Sequence, residues 1–152
     1  MPADAARVRS ATPDDAPVVA RLLHDFNAEF NVPTPPAEEL APRLAELIGA
    51  GEATVLLAAE ELGLAVLRQR PSLWSRGVVV YLEELYVVPA RRGEGLGRAL
   101  IEATIAAARE AGAEWIELGT STGDVAARGL YESAGFTNLE DGETMLFYEL
   151  EL

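Results

Sequence analysis

The sequence predicts one α/β (α+β) domain built on a mixed β-sheet, with the element order β-α-α-β-β-β-α-β-α-β. Three observations carry that expectation. Apolar residues recur with a period of two in some stretches and at helical spacing in others, and the two kinds of stretch interleave along the chain. Glycine and proline gather at the junctions between them. The 152 residues, 49% of them apolar, are enough for a single core, and no repeat, low-complexity tract or composition shift divides residues 1–152 into more than one domain.

The elements follow in order. "ARVRSA" (residues 6–11) alternates and opens the chain as a short strand. In "TPDDAPVVARLLHDFNAEF", Thr12 is placed to cap a helix, Pro13 takes its first position and two aspartates fall in its first turn. Val18, Leu22, Leu23 and Phe26 then share one face. "NVPTPP" ends that helix, because its prolines cannot continue it. "AEELAPRLAELIGAG" reads as a second helix with a disturbed start before Pro42, closed by Gly49 and Gly51. "ATVLLAAE" (53–60) and "LGLAVLRQR" (62–70) stand so close that they imply a hairpin. Beyond the loop "RPSLWSRG", "VVVYLEELYVVP" (78–89) is the strongest strand signal in the chain. The helix "GLGRALIEATIAAAREAG" sets Leu96, Leu100, Ala103 and Ala107 on one face and stops at Gly112. "AEWIELGTS" is a further strand, and "DVAARGLYESAG" is a short helix ended by Gly135. "TMLFYELEL" reads as a last strand, with Glu149 and Glu151 opposite Leu150 and Leu152.

Composition excludes several classes of function. The formal net charge is −13, and all twelve basic residues are arginine, so the surface repels nucleic-acid phosphates and suits cationic small molecules. Arginine and alanine without lysine point to a GC-rich bacterial genome. No stretch has the length of a membrane span, and "MPADAARVRS" has no apolar signal core, which makes a cytoplasmic protein the plain expectation. No cysteine is available for a disulfide, a thiolate nucleophile or a metal site. His24 has no partner at metal-ligand spacing, so no metal is expected.

"RRGEGLGRAL" (91–100) sits between the strongest strand and the following helix. A strand that ends in glycines and opens a helix is an anion site, because the first amides of the helix have no intrahelical acceptor and the dipole adds positive charge. Gly93, Gly95 and Gly97 would let phosphate oxygens reach the backbone, and Arg91, Arg92 and Arg98 would add charge. The nucleotide P-loop is excluded because it needs a lysine. A dinucleotide fingerprint fails because its third glycine would fall on Arg98 or Leu100.

"LYVVPARRGEGLGRALI" resembles the acetyl-CoA signature of the GNAT-type N-acetyltransferases, Arg/Gln-x-x-Gly-x-Gly/Ala, here Arg92-Gly93-Glu94-Gly95-Leu96-Gly97. "DVAARGLYESAGF" is similar to a second segment of that family, Asn-x-x-Ala-x-x-Leu-Tyr-x-x-x-Gly-Phe, at the family's distance. The resemblance implies the GNAT fold, with a splayed strand pair in its central sheet, and acetyl-CoA as co-substrate. It implies that amides from Arg92 to Arg98 hold the pyrophosphate, and that the strand backbone at Leu85, Val87 and Val88 pairs with the pantetheine arm. Val87 would also steady the oxyanion. Tyr131 matches the general acid toward the departing thiolate. "YLEELYV" resembles the spermidine/spermine and thialysine acetyltransferases, in which the first acidic residue acts as base. That implies Glu83, with Glu84 as the alternative, since consecutive strand side chains face opposite ways and only one would face the cleft. Asp124 stands where the family often has asparagine, and would cap its helix or contact pantetheine.

Phe26, Asn27, Phe30 and Trp74 are the expected walls of the acceptor site. The acceptor is expected to be a small primary amine: a polyamine, an amino-acid-like compound or an aminoglycoside-like molecule. A peptide or protein amine, a longer acyl donor and a non-catalytic acyl-CoA-binding module stand as alternatives. A homodimer is compatible with the resemblance, and no patch in the sequence marks its interface.

Overall fold

The computed structural model describes residues 7–152; Ala6, the first residue of the expected opening strand, lies outside them. Chain contacts divide between Leu118 and Gly119. The first unit holds β1 (Val8–Ser10), α1 (Ala16–Glu29), α2 (Ala37–Gly49), β2 (Thr54–Ala58), β3 (Gly63–Pro71), β4 (Val78–Val87), α3 (Leu96–Glu110) and β5 (Ala113–Leu118). Its sheet runs β1-β2-β3-β4-β5, antiparallel throughout except for the parallel pair β4 and β5.

The apolar runs of β2 and β3 are continuous because both faces of those strands are covered. On one face Val55, Leu57, Leu64 and Val66 meet Val19 and Leu22 of α1, and Tyr86 of β4 joins them. Against the other face lies α3, whose Leu96, Leu100 and Ile101 are at most 1% exposed. Each such aliphatic side chain stabilises the fold by about 1.5–3 kcal/mol. Thr104 is the one buried polar residue of α3, and its hydroxyl donates to the Leu100 carbonyl at 2.8 Å.

Local signals set the ends of these elements. Thr12 caps a 3-10 turn, Pro13–Asp15, that leads into α1, and the Asp15 carboxylate accepts the Thr12 N–H at 2.7 Å. The Arg9 guanidinium grips the same carboxylate at 2.9 Å, and with the Thr12 amide holds it well below the usual carboxylate range. Pro42 lies inside α2 and leaves it continuous from Ala37, against the expected disturbance. Its missing N–H falls near the start of the helix and forfeits a single bond.

The second unit runs from Gly119 to Leu152. It holds α4 (Val125–Ser133) and a small hairpin of β6 (Leu139–Glu140) and β7 (Glu143–Thr144). Asp141 and Gly142 turn the hairpin at φ 50° and 83°, the two positive values such a turn requires. The expected last strand over "TMLFYELEL" is thereby corrected. Only Glu143 and Thr144 pair, and residues 145–152 have no regular structure, because a strand needs a ladder and β6 offers two residues. Among the described residues no helix is long and apolar enough to cross a membrane, and no cluster of three or more potential ligands could hold a metal ion.

Candidate active site

The β3–β4 ladder contains one extra residue. Leu67 pairs with Leu82 and Val66 with Glu84, so Glu83 is a bulge with no partner of its own. Directly paired residues share a face of the sheet. Glu84 therefore lies on the α1 face beside Val66, and Arg68, two residues from Val66, projects on that face too. The Arg68 guanidinium reaches the Glu83 carboxylate at 3.3 Å. Both glutamates thus sit on one face, a correction to the expectation that alternation would separate them. Glu84 is half-buried, and burial first, then the charge of Glu83, raises its carboxyl above the ordinary value.

Beyond the bulge the strand changes neighbours. Pairing of β4 with β5 ends at Leu82 and Leu118, whereas β4 continues to Val87. The Val88 N–H donates to the Leu62 carbonyl at 2.9 Å. Carried back along an antiparallel ladder, that phase turns the backbone groups of Leu85 and Val87 away from β3, toward the edge that β5 has left. Val88 differs from Leu85 and Val87 in direction: its N–H is bound to the Leu62 carbonyl of the neighbouring chain segment, and its carbonyl accepts from the Arg91 N–H.

The edge runs into the glycine loop. A 3-10 turn at Pro89–Arg91 is followed by Gly93 and Gly95 at φ 82° and 85°, where a side chain would be strained, and α3 begins at Leu96. Space around Gly93 is open: a Cβ there would have no atom within 4 Å. Leu96 is buried and anchors the turn, while the first amides of α3, at Leu96, Gly97 and Arg98, belong to the turn that has no intrahelical acceptor.

The arginines depart from expectation. Arg91 Nε donates to Glu94 at 2.8 Å. Arg92 lies along the surface toward α1: its Nη2 donates to both Glu29 oxygens, at 3.0 and 2.8 Å, and its Nε to the Val87 carbonyl at 3.0 Å. The same guanidinium lies 5.7 Å from the centre of the Tyr86 ring. Arg91 and Arg92, both assigned to phosphate, are therefore engaged with carboxylates of this chain.

The expected acceptor walls separate. Phe26 is stacked on Tyr86 at 5.0 Å and packs against the core, and Phe30 meets Phe26 edge-on at 5.5 Å while remaining 57% exposed. Asn27 is half-buried, and its carbonyl accepts from Phe30 and Val32. Trp74 is corrected: it is 90% exposed in the loop before β4. The six residues of strand from Val78 to Glu83 span about 17 Å, and Trp74 precedes that span.

In the second unit, Asp124 caps α4 by accepting the Ala127 N–H at 3.1 Å, one of the two roles open to it from the sequence. Tyr131 is half-buried on α4, its ring tilted 58° to that of Phe136 at 6.0 Å. Sequence reasoning missed Glu29, Arg68 and Tyr86. The first two have no local signal, since their partners lie 63 and 15 residues away.

The acetyltransferase (GNAT) family matches residues 19–136. An aminoglycoside N(6')-acetyltransferase type 1 of Stenotrophomonas maltophilia is 32% identical over 155 residues, covering 100% of this chain and 97% of the relative. Among solved structures, one from Arthrobacter sp. FB24, whose acetyltransferase name is provisional, is 49% identical, with 95% of each chain covered and a TM-score of 0.89. An aminoglycoside acetyltransferase from an uncultured soil metagenomic sample, solved with sisomicin, is 22% identical. It aligns 95% of this chain with 96% of its own at a TM-score of 0.75, a likeness of fold.

Proposed function

The chain belongs to the GNAT acetyltransferase family, and we propose that it moves acetyl from acetyl-CoA to a primary amine of a small, multiply charged molecule of the aminoglycoside type. One observation carries the reading: the open edge of β4 at Leu85 and Val87 leads directly into the left-handed glycine turn at the start of α3. A pantetheine arm lies along such an edge as a strand would, and a pyrophosphate meets the amides of Gly93 to Arg98. The family match crosses the boundary between the units, which supports taking residues 1–152 as one domain. A donor of this kind fits a cytoplasmic setting.

The acceptor class rests on charge and on the full-length relative. The net charge of −13 attracts polycations, and Glu83 and Glu84 concentrate it on one face of β4. An alkylammonium has no lone pair, so its proton must leave before it attacks. Glu84 is the proton acceptor, because burial raises its basicity, and Glu83, steadied by Arg68, holds the cation. The amine nitrogen then attacks the thioester carbon. A C–N bond forms, the carbonyl pair moves onto oxygen near the Val87 amide, and its return breaks the C–S bond. The thiolate takes a proton from Tyr131, which enters on its motif, and the extra proton on the new amide nitrogen passes through water to the tyrosinate.

Release of free CoA from acetyl-CoA, followed across aminoglycosides, polyamines, amino acids and peptides, tests this reading. Acceptor-dependent release with aminoglycosides, reduced in Glu84→Gln and Tyr131→Phe, is the expected result. Tight donor binding without release for any amine would make the chain an acyl-CoA-binding module, and release only with peptides would move the acceptor to protein.

A further inference from the structure

We infer that Arg92 is a positioning residue: its side chain ties the glycine loop, the end of β4 and the end of α1 into one joint instead of reaching for phosphate. This rests on the acetyl-CoA reading of the loop. One guanidinium makes contacts to two elements outside its loop. It donates to the carbonyl of Val87, the last residue of β4, and to both carboxylate oxygens of Glu29, the last residue of α1. It also covers Tyr86, which stacks in turn on Phe26 of α1.

The position of the joint gives it a role. Val87 C=O and Val88 N–H belong to one peptide plane, held from one side by Arg92 Nε and from the other by the Leu62 carbonyl. The plane is thereby fixed one bond past the Val87 amide that would face the thioester oxygen. Gly93 and Gly95 leave the loop without side chains to anchor it, and the space around Gly93 is open. The Arg92 side chain is therefore a principal tether between the start of that loop and the rest of the unit. Through Glu29 the same tether sets the last turn of α1, with Phe30, against the donor edge. Displacing groups around a reacting centre by about 1 Å can cost about a hundredfold in rate.

The two roles for Arg92 predict opposite signs in Glu29→Gln. A phosphate ligand restrained by Glu29 would be released, and acetyl-CoA would bind more tightly. A tether would be weakened, losing its charge and one of two acceptors, and acetyl-CoA would bind roughly three- to tenfold more weakly, with a higher KM for the amine. Calorimetry with acetyl-CoA and steady-state kinetics read this in the full chain. Hydrogen exchange in the chain without donor reads the joint independently of activity: Glu29→Gln is expected to raise deuterium uptake in residues 26–32 and 88–97 together. Arg92→Lys keeps the charge but not the fork and is expected to fail as a rescue. The double variant Glu29→Gln/Arg92→Gln is expected to be no worse than Arg92→Gln. Tighter donor binding in Glu29→Gln, exchange confined to α1, or losses that add would each overturn the inference. A wild-type chain that binds no acetyl-CoA would sink the functional reading and the positioning role with it; donor binding indifferent to Glu29→Gln would sink the positioning role alone.

Discussion

Glu83→Gln removes one charge beside the proposed proton acceptor while leaving the backbone bulge in place. Glu84 shares a face with Glu83, and its carboxyl is raised by burial first and by that neighbouring charge second. Like charges a few Å apart repel by on the order of 1 kcal/mol where water screens them. Removing that charge moves the titration of Glu84 down, toward the ordinary carboxylate range. Arg68 reinforces the direction. Its Nε stays bound to the Glu52 carbonyl at 2.7 Å, so its positive charge remains nearby after the carboxylate has gone. The assay is kcat/KM for the amine against pH. Its acidic limb is expected to move to lower pH in Glu83→Gln, with a higher KM because the cation loses an anchor, and to disappear in Glu84→Gln. A limb that stays where it was or moves upward in Glu83→Gln, or one that survives in Glu84→Gln, would refute Glu84 as the base.

Three further outcomes follow from stability. Because the Glu84 carboxyl is raised in the folded state, its ionised form weakens the fold above that value, and the loss is relieved as pH falls toward the unfolded range. Glu84→Gln is therefore expected to unfold at higher urea than wild type at pH 7, with the gap closing near pH 4. Asp15 has the opposite sign: its carboxyl is depressed by Arg9 and the Thr12 amide, so it stabilises above the ordinary carboxylate range and ceases to as pH falls through the folded value. Asp15→Asn is expected to cost about 1 kcal/mol at pH 7 and to converge with wild type in acid, read by urea melts across pH. Gly95→Ala forces a side chain into φ 85°, with an expected loss of about 1–2 kcal/mol and weaker acetyl-CoA binding by calorimetry.

Much of this architecture was legible because local chemistry and tertiary outcome agree. Strand formers, a glycine junction and a helical apolar stripe gave the path from β4 into α3, and Thr12, Pro13, Gly51, Gly112 and Gly135 mark ends that the fold uses. The bulge was not legible. One extra residue leaves composition unchanged, yet it brings both glutamates to one face of the sheet; only the ladder partners of Val66 and Leu67 reveal it. Nor was the fate of Arg92. An arginine beside glycines reads as a phosphate ligand until Glu29, far off in sequence, is brought to its guanidinium. The turn at Asp141 and Gly142 was a missed signal of a different kind, since an Asp-Gly pair between polar flanks did announce the hairpin. The alternation of "FYELEL" was real, but alternation describes a strand's two faces and supplies no neighbour to pair with.

The stretch of β4 that β5 leaves behind has a liability separate from any chemistry. A row of unpaired backbone groups invites the same row of another copy to pair with it, and short edges guarded by charge are how proteins avoid such association. Glu83 and Glu84 stand at the head of this edge, where two copies meeting in register would bring four carboxylates together. On the proposed reading the pair that draws in a cation would also hold two copies apart. Neutralising both should therefore make solubility, before turnover, the first property to fail.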